Sequence, residues 1–309
     1  MRRIDQEQNG GAKQGTSRKQ GGQTAKKYGG VHIVCYAPKA VNMKKLGIAL
    51  GSGGSRGVAH LGFLQALEEE GIRADYVSGC SMGAIVGACY CAGASMNALK
   101  EVAVNLRLSR IASFNINAIK ASGLFNLGKA KKLLAEYIGK DTQFSDLKIP
   151  FCCVATDLVS GRSVRLDAGN VIDCALASGS IPGAFPPVLM DDMMLVDGGV
   201  LERVPARELK RMGADVVVAV DVLGDLPASK PQPKNLIETM LRYIDVIDTH
   251  VTRRMRAARR RYIDLWLEPD LGDMDQYQVK NLGFAFDRGY ELGKANAGKI
   301  TELLQDGSV

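Results

Sequence analysis

The sequence predicts an α/β fold with a mostly parallel central sheet. Three observations carry this. Short apolar runs alternate with helix-spaced segments from residue 46 onward, several of the runs end in glycine-rich turns, and no interior linker or repeat breaks the alternation. At 309 residues, 46% hydrophobic and 24% charged, the chain has ordinary globular proportions and buries a core without disulfides or metals.

Taken in order, Leu46–Leu50 is an apolar strand closed by glycines. Val58, Leu61, Leu64 and Leu67 recur at helical spacing, with acids at 68–70 outside and Gly71 as the stop. Tyr76 and Val77 read as a short strand and Met82–Ala92 as a helix, with further helices over 95–107 and 128–138. Residues 151–155 and 164–166 read as strands, 171–177 as a helix, 193–196 as a strand, 205–212 as a helix and 216–222 as a buried strand. Leu236, Met240, Ile244, Ile247, Val251 and Met255 repeat every three or four positions and predict one long amphipathic helix. A last strand over 263–267 and a last helix over 281–304 complete the pattern.

The net charge of +7 is uneven. Residues 1–45 hold ten Lys/Arg against two acids, a charge of +8, so the rest of the chain sums to −1. A basic tail on a neutral body argues against nucleic acid as a partner. Residues 1–42 lack the apolar content to fold and read as a disordered basic tail before a single domain over 43–309. Met43 precedes the first strand, so it reads as the natural start, with the tail an upstream addition. No signal peptide or membrane-spanning stretch is read. Seven cysteines, an odd number without a CxxC, fit buried thiols in a cytoplasmic protein.

Three constellations carry chemistry. Gly51-Ser52-Gly53-Gly54-Ser55-Arg56-Gly57 joins the first strand to the first long helix, and such a loop presents backbone N–H groups to a phosphate or an oxyanion. It lacks the sixth-position glycine of a dinucleotide fingerprint and the Gly-Lys-Ser/Thr of a P-loop, and a tight turn without a ligand is the plain alternative. Gly79-Cys80-Ser81-Met82-Gly83 is a GxSxG between strand and helix, the context in which the serine is exposed on a strained turn. Asp197-Gly198-Gly199 ends a strand where α/β folds bind ligands, although alone it reads as a turn. A serine hydrolase needs a base. The three histidines are His32 in the tail region, His60 in the first helix and His250 in the long helix, and no Asp…His pair follows in α/β-hydrolase order. Asp197 is the best-placed base.

With Ala177-Ser178-Gly179-Ser180-Ile181-Pro182 and Phe185-Pro186-Pro187 between them, these motifs stand in the order of the patatin-like phospholipase family, which the chain closely resembles from about Lys44 to its C-terminus. Segments 264–271 and 283–295 are similar to the end of short bacterial members, whereas Ser52 stands where many members have glycine. The resemblance implies a patatin-like three-layer α/β/α sandwich and a Ser–Asp dyad, with Ser81 as nucleophile and Asp197 as base. Gly53, Gly54 and Ser55 would supply oxyanion N–H groups, supported by Gly51, Arg56, Gly57, Gly79, Gly83, Gly198 and Gly199. It implies hydrolysis of a lipid carboxylic ester, a phospholipid or lysophospholipid, with no cofactor or metal. Thioesterase or acyltransferase chemistry on the same dyad, and a non-catalytic acyl-binding regulator, are the alternatives.

Smaller features have two readings each. Arg56 holds a phosphate or orients the loop, or else packs. His60 reads as structural and Cys80 as core. Pro182, Pro186 and Pro187 shape a loop beside the dyad or a rigid surface turn. The apolar stretch 103–127, with Ile111, Phe114, Ile116, Ile119, Leu124 and Phe125, is a lid over an acyl site or ordinary core. Arg253, Arg254, Arg256, Arg259, Arg260 and Arg261 make peripheral contact with an anionic membrane, or form a solvated helix end.

Overall fold

The computed structural model describes residues 27–28, 31–32, 44–114, 123–225, 232–258 and 260–305. The chain divides into two compact units, Met1–Val41 and Asn42–Val309. In the first, Lys27–Tyr28 pairs antiparallel with Val31–His32. The expected disordered tail otherwise lies outside the described residues, as do Ile116, Ile119 and Arg259.

The second unit is built on one eight-stranded sheet. Its strands are β1 (Leu46–Leu50), β2 (Tyr76–Cys80), β3 (Phe151–Asp157), β4 (Arg162–Leu166), β5 (Val188–Met190), β6 (Met193–Asp197), β7 (Val216–Val220) and β8 (Leu265–Leu267). The order is β8-β7-β1-β2-β3-β6-β5, with β4 also on β3. The first five of these run parallel, and β6, β5 and β4 pair antiparallel. Besides a single helical turn at Leu108–Ile111, the helices of this unit are α1 (Ala59–Glu69), α2 (Met82–Ala92), α3 (Met96–Val104), α4 (Gly128–Ile138), α5 (Val171–Ser178), α6 (Gly199–Glu202), α7 (Ala206–Met212), α8 (Leu236–Ala258) and α9 (Leu282–Leu304).

The strands sort their side chains by parity, as a sheet covered on both faces requires. Leu46, Ile48 and Leu50 of β1 and Val216, Val218 and Val220 of β7 join the large core formed with α1, α2, α5 and α9. Ala49, Val217 and Ala219 face the other way into a smaller core against Leu209 of α7. The result is the three-layer α/β/α sandwich. On the larger face α1 and α9 meet backbone to backbone. A Cβ at Gly62 would lie 2.0 Å from the Phe286 carbonyl oxygen, and one at Gly289 would lie 1.8 Å from that of Ala59.

Two elements depart from the sequence reading. β2 runs to Cys80 rather than stopping at Val77, because pairing with β1 and β3 on either side supplies ladder partners for Ser78 and Gly79. The long helix exists as read, but its apolar stripe is half-buried at Ile244, Ile247, Val251 and Met255 and exposed at Leu236 and Met240, and its most buried residues are polar. The buried residues of α8 are Asp245, Asp248, Thr249 and Thr252, while Leu236, Met240, Tyr243 and Val246 are exposed. The cause is a buried polar cluster described below.

The described cysteines Cys80, Cys89, Cys91, Cys152, Cys153 and Cys174 are all buried free thiols. Among the described residues no helix is long and apolar enough to cross a membrane.

Candidate active site

Ser81 and Asp197 meet because two strands abut end to end along one edge of β3. Cys153 pairs with Gly79 on one side and Leu166 on the other, and Ala155 pairs with Asp197 and Val164, so β2 and β6 share the edge opposite β4. Cys80 at the end of β2 is opposite Val154, and Asp197 at the end of β6 is opposite the next residue, Ala155. The two chain ends therefore arrive from opposite directions at adjacent rungs.

Ser81 occupies the turn into α2 with φ 53° and ψ −122°, a conformation that costs a non-glycine residue roughly 1–3 kcal/mol. The turn is tight on both sides. A Cβ at Gly79 would lie 2.6 Å from the Gly83 carbonyl oxygen, and one at Gly83 would lie 2.2 Å from that of Leu50. The glycines of GxSxG are thus required by close backbone approach.

The Ala177–Ser180 stretch fastens both partners. Ser178 Oγ accepts the Ser81 N–H at 2.9 Å and donates to the Val154 carbonyl at 2.7 Å. The carbonyls of Ser180 and Ser178 accept the N–H groups of Asp197 and Gly198 at 2.9 and 3.3 Å. The role of Ser178 is not legible in the sequence, because its partners lie 97 and 24 residues away.

Asp197 is buried, accepts the Gly199 N–H at 2.7 Å to Oδ1, and lines the same small crevice as Ser81. Burial pushes its carboxyl up to about 6, and the neighbouring Ser81 hydroxyl and the Gly199 N–H limit the rise. A Cβ at Gly198 would lie 2.3 Å from the Val154 carbonyl oxygen, and one at Gly199 would lie 3.0 Å from Asp197 Oδ1.

The glycine loop begins against the neighbouring strand. Gly51 N–H donates to the Val220 carbonyl, and Ser52 N–H to that of Arg203, both at 2.9 Å. His60 is fully buried and donates from Nε2 to the Gly51 carbonyl at 2.8 Å, and burial holds its imidazole down near 4. It is a neutral clamp on the loop. Ser55 N–H donates to the Gln276 carbonyl at 2.9 Å, so it is already engaged. The N–H groups of Gly53 and Gly54 make no hydrogen bond among the described residues. Gly54 has φ +49°, and a Cβ there would lie 2.3 Å from the Gln276 oxygen. At Gly57 a Cβ would lie 2.4 Å from Met82 Cγ. Arg56 does not line either cavity that reaches Ser81; its Nη1 approaches the Met274 carbonyl at 3.5 Å.

Ser81 and Gly54 lie between two cavities. The apolar one, about 350 Å³, is lined by Ile85, Leu106, Ile111, Phe125, Leu134 and Phe185 among others. Part of the 103–127 stretch therefore lines this cavity, whereas 115–122 lies outside the described residues. The other, smaller and mixed in lining, has Ser52, Asp197, Asp245, Asp248 and Tyr277 on its wall beside apolar residues such as Pro182 and Ile244. Pro182 thus lines the same crevice as Ser81 and Asp197, and Cys80 is buried.

The acids of α8 belong to a cluster the sequence did not disclose. Buried Arg203 reaches Asp221 at 3.5 Å, Asp248 at 3.3 Å and the Gly224 carbonyl at 3.1 Å. Asp245 accepts from Tyr277 at 2.6 Å and Gln276 at 2.8 Å. Burial raises Asp248 to about 7 despite Arg203. Of the arginines at the end of α8, Arg253 pairs with Asp225 and Arg256 with Glu268, so much of that charge is compensated. Among the described residues no three His, Cys, Asp or Glu side chains gather to hold a metal.

Comparison with known proteins agrees with this architecture. The model of the patatin-like phospholipase family matches residues 48–210, more than half of the chain, and the protein belongs to that family. An uncharacterized NTE family protein of Mycobacterium tuberculosis is 33% identical over 215 residues, covering 67% of this chain and 59% of its own. Lysophospholipase nte1 of Emericella nidulans is 33% identical over 286 residues, covering 83% of this chain and 18% of its own. The chain thus spans three fifths of the first relative and under a fifth of the second. Among solved structures, VipD from Legionella pneumophila superposes with a TM-score of 0.54 at 14% identity, over 86% of this chain and 68% of that one, a likeness of fold.

Proposed function

We propose that the protein is a serine acyl hydrolase that cleaves lipid carboxylic esters of the phospholipid or lysophospholipid type through a Ser81–Asp197 dyad. The observation that carries this is the meeting of Ser81, in its strained turn, with buried Asp197 in a small crevice that adjoins an apolar cavity also lined by Ser81. Family membership and the likeness to a lysophospholipase support the substrate class.

Each step follows from an atom in place. The acyl chain occupies the apolar cavity, and the alcohol portion faces the smaller crevice. Ser81 Oγ attacks the ester carbonyl carbon while its proton passes to Asp197. A carboxyl near 6 is ionised at neutral pH yet basic enough to take that proton. The charge on the carbonyl oxygen falls to the N–H groups of Gly53 and Gly54 and to the N-terminal field of α2. The ester C–O bond breaks, Asp197 returns the proton to the leaving alkoxide, and an acyl-Ser81 ester remains. Water, deprotonated by the same carboxylate, cleaves it.

Labelling with a fluorophosphonate, mapped by mass spectrometry, tests the reading. Adduct on Ser81 in wild type, with strong loss in Asp197→Asn, is the expected result. A folded protein whose Ser81 stays unlabelled would fit a non-catalytic acyl binder instead.

A further inference from the structure

The first half of α8 leaves an apolar face outside the protein. Leu236, Met240, Tyr243 and Ile247 lie three or four residues apart and form one line along the helix. Leu236 and Tyr243 are 76% and 67% exposed, Met240 is exposed and Ile247 half-buried. Such a stripe on the solvent side of a helix signals a surface that is covered in use.

The stripe is continuous with the mouth of the apolar cavity. Ile237 and Leu241, on the same turns, line the cavity that holds Ser81. The Met240 methyl lies over Gly183, in the turn that brings Ile181 and Pro182 to the dyad. Leu108, another residue of the cavity lining, is also exposed. Farther along the same line stand exposed His250 and Arg254, and Arg254 forms no ion pair with the described residues. The face is therefore apolar beside the cavity mouth and carries the Arg254 cation two turns beyond Ile247.

We propose that this outer face of α8 seats the protein on a phospholipid surface, so that the cavity opens into the lipid layer. The proposal rests on the lipid-hydrolase reading and names how that site reaches its substrate. An amphipathic helix binds such a surface by placing its apolar residues at the acyl boundary and its cations among the phosphates. The order of residues along α8 suits that layering. A second copy of the chain over the same stripe would cover the cavity mouth instead of feeding it.

The test uses the full chain and vesicles of phosphatidylcholine with about a quarter phosphatidylglycerol. Leu236→Glu/Tyr243→Glu places two charges on the stripe at residues that line neither cavity. Wild type is expected to co-sediment with the vesicles, and the double variant to bind about tenfold or more weakly. Fatty acid release from the vesicles should fall in parallel, while hydrolysis of a soluble short-chain p-nitrophenyl ester stays unchanged. Unaltered vesicle binding by the folded variant, or a wild type that never binds, overturns the proposal. So does a wild-type dimer that the substitutions split, which would assign the face to a second copy. Vesicle binding is read without turnover, so loss of binding in a protein that hydrolyses no ester would uphold the docking face and reject the hydrolase.

Discussion

Ser178 holds Ser81 by its backbone: the Ser178 hydroxyl accepts the Ser81 N–H at 2.9 Å and passes its own proton to the Val154 carbonyl at 2.7 Å. The residue in the strained turn is thereby tied both to α5 and to β3, the strand against which Asp197 pairs. Ser178→Ala leaves a buried N–H and a buried carbonyl without this bridge, at a cost of about 1–3 kcal/mol. A lowered unfolding midpoint and a kcat reduced more than KM is raised are expected in denaturation and steady-state assays. Ser178→Thr, which keeps the hydroxyl, should recover part of both.

Asp197 should make activity and stability respond to pH in opposite directions. Its folded carboxyl lies near 6, above the usual 3.8. As a base it must be ionised, so kcat/KM on a soluble ester rises with pH through about 6 and levels above that. For stability, a raised carboxyl contributes fully below its unfolded value, and the contribution is lost as pH rises through the folded value. Asp197→Asn removes that loss. The variant should therefore be inactive yet more stable than wild type at pH 8, by about 2 kcal/mol, as read by chemical denaturation.

How much of this was legible in the sequence depends on the range of the interactions. GxSxG and the Asp-Gly-Gly turn are local patterns between a strand and a helix, so Ser81 and Asp197 could be singled out from them, and the fold brings the two to adjacent rungs. The strand alternation likewise gave the sheet, apart from the three-residue β5. The long helix α8 was legible from its repeat, but periodicity locates a stripe and not which side is inside. Arg203 decides that side by holding Asp248 from 45 positions away in the chain, and Tyr277 does so through Asp245, 32 positions away. Ser55 shows the same limit. Its place in the glycine loop suggested a free N–H, but a carbonyl of the distant residue Gln276 occupies it.

His60 should prove structural. Its imidazole clamps the Gly51 carbonyl and is neutral across the working range. His60→Ala empties a fully buried site and is expected to cost about 2–4 kcal/mol. At a temperature where the variant is folded, the pH profile should keep the same inflection near 6, since that inflection belongs to Asp197. A profile that loses its inflection would identify His60 as the titrating base.

Arg203 is the cation of the buried cluster. Arg203→Met leaves Asp221 and Asp248 facing each other without it, and removing one member of a buried pair costs about 3–5 kcal/mol. Thermal denaturation should show a large fall in Tm at pH 8. The fall should be smaller at pH 5, where Asp248, already near 7 in the wild type, is protonated. A Tm loss independent of pH would place the role of Arg203 in packing alone.

The central claim is that Ser81 and Asp197 form the working pair, and one assay addresses it most directly. Hydrolysis of p-nitrophenyl esters of graded chain length is compared for wild type, Ser81→Ala and Asp197→Asn, each shown to be folded. The account predicts measurable turnover by wild type and a loss of about a thousandfold or more in both variants. Turnover retained by folded Ser81→Ala or Asp197→Asn would contradict it.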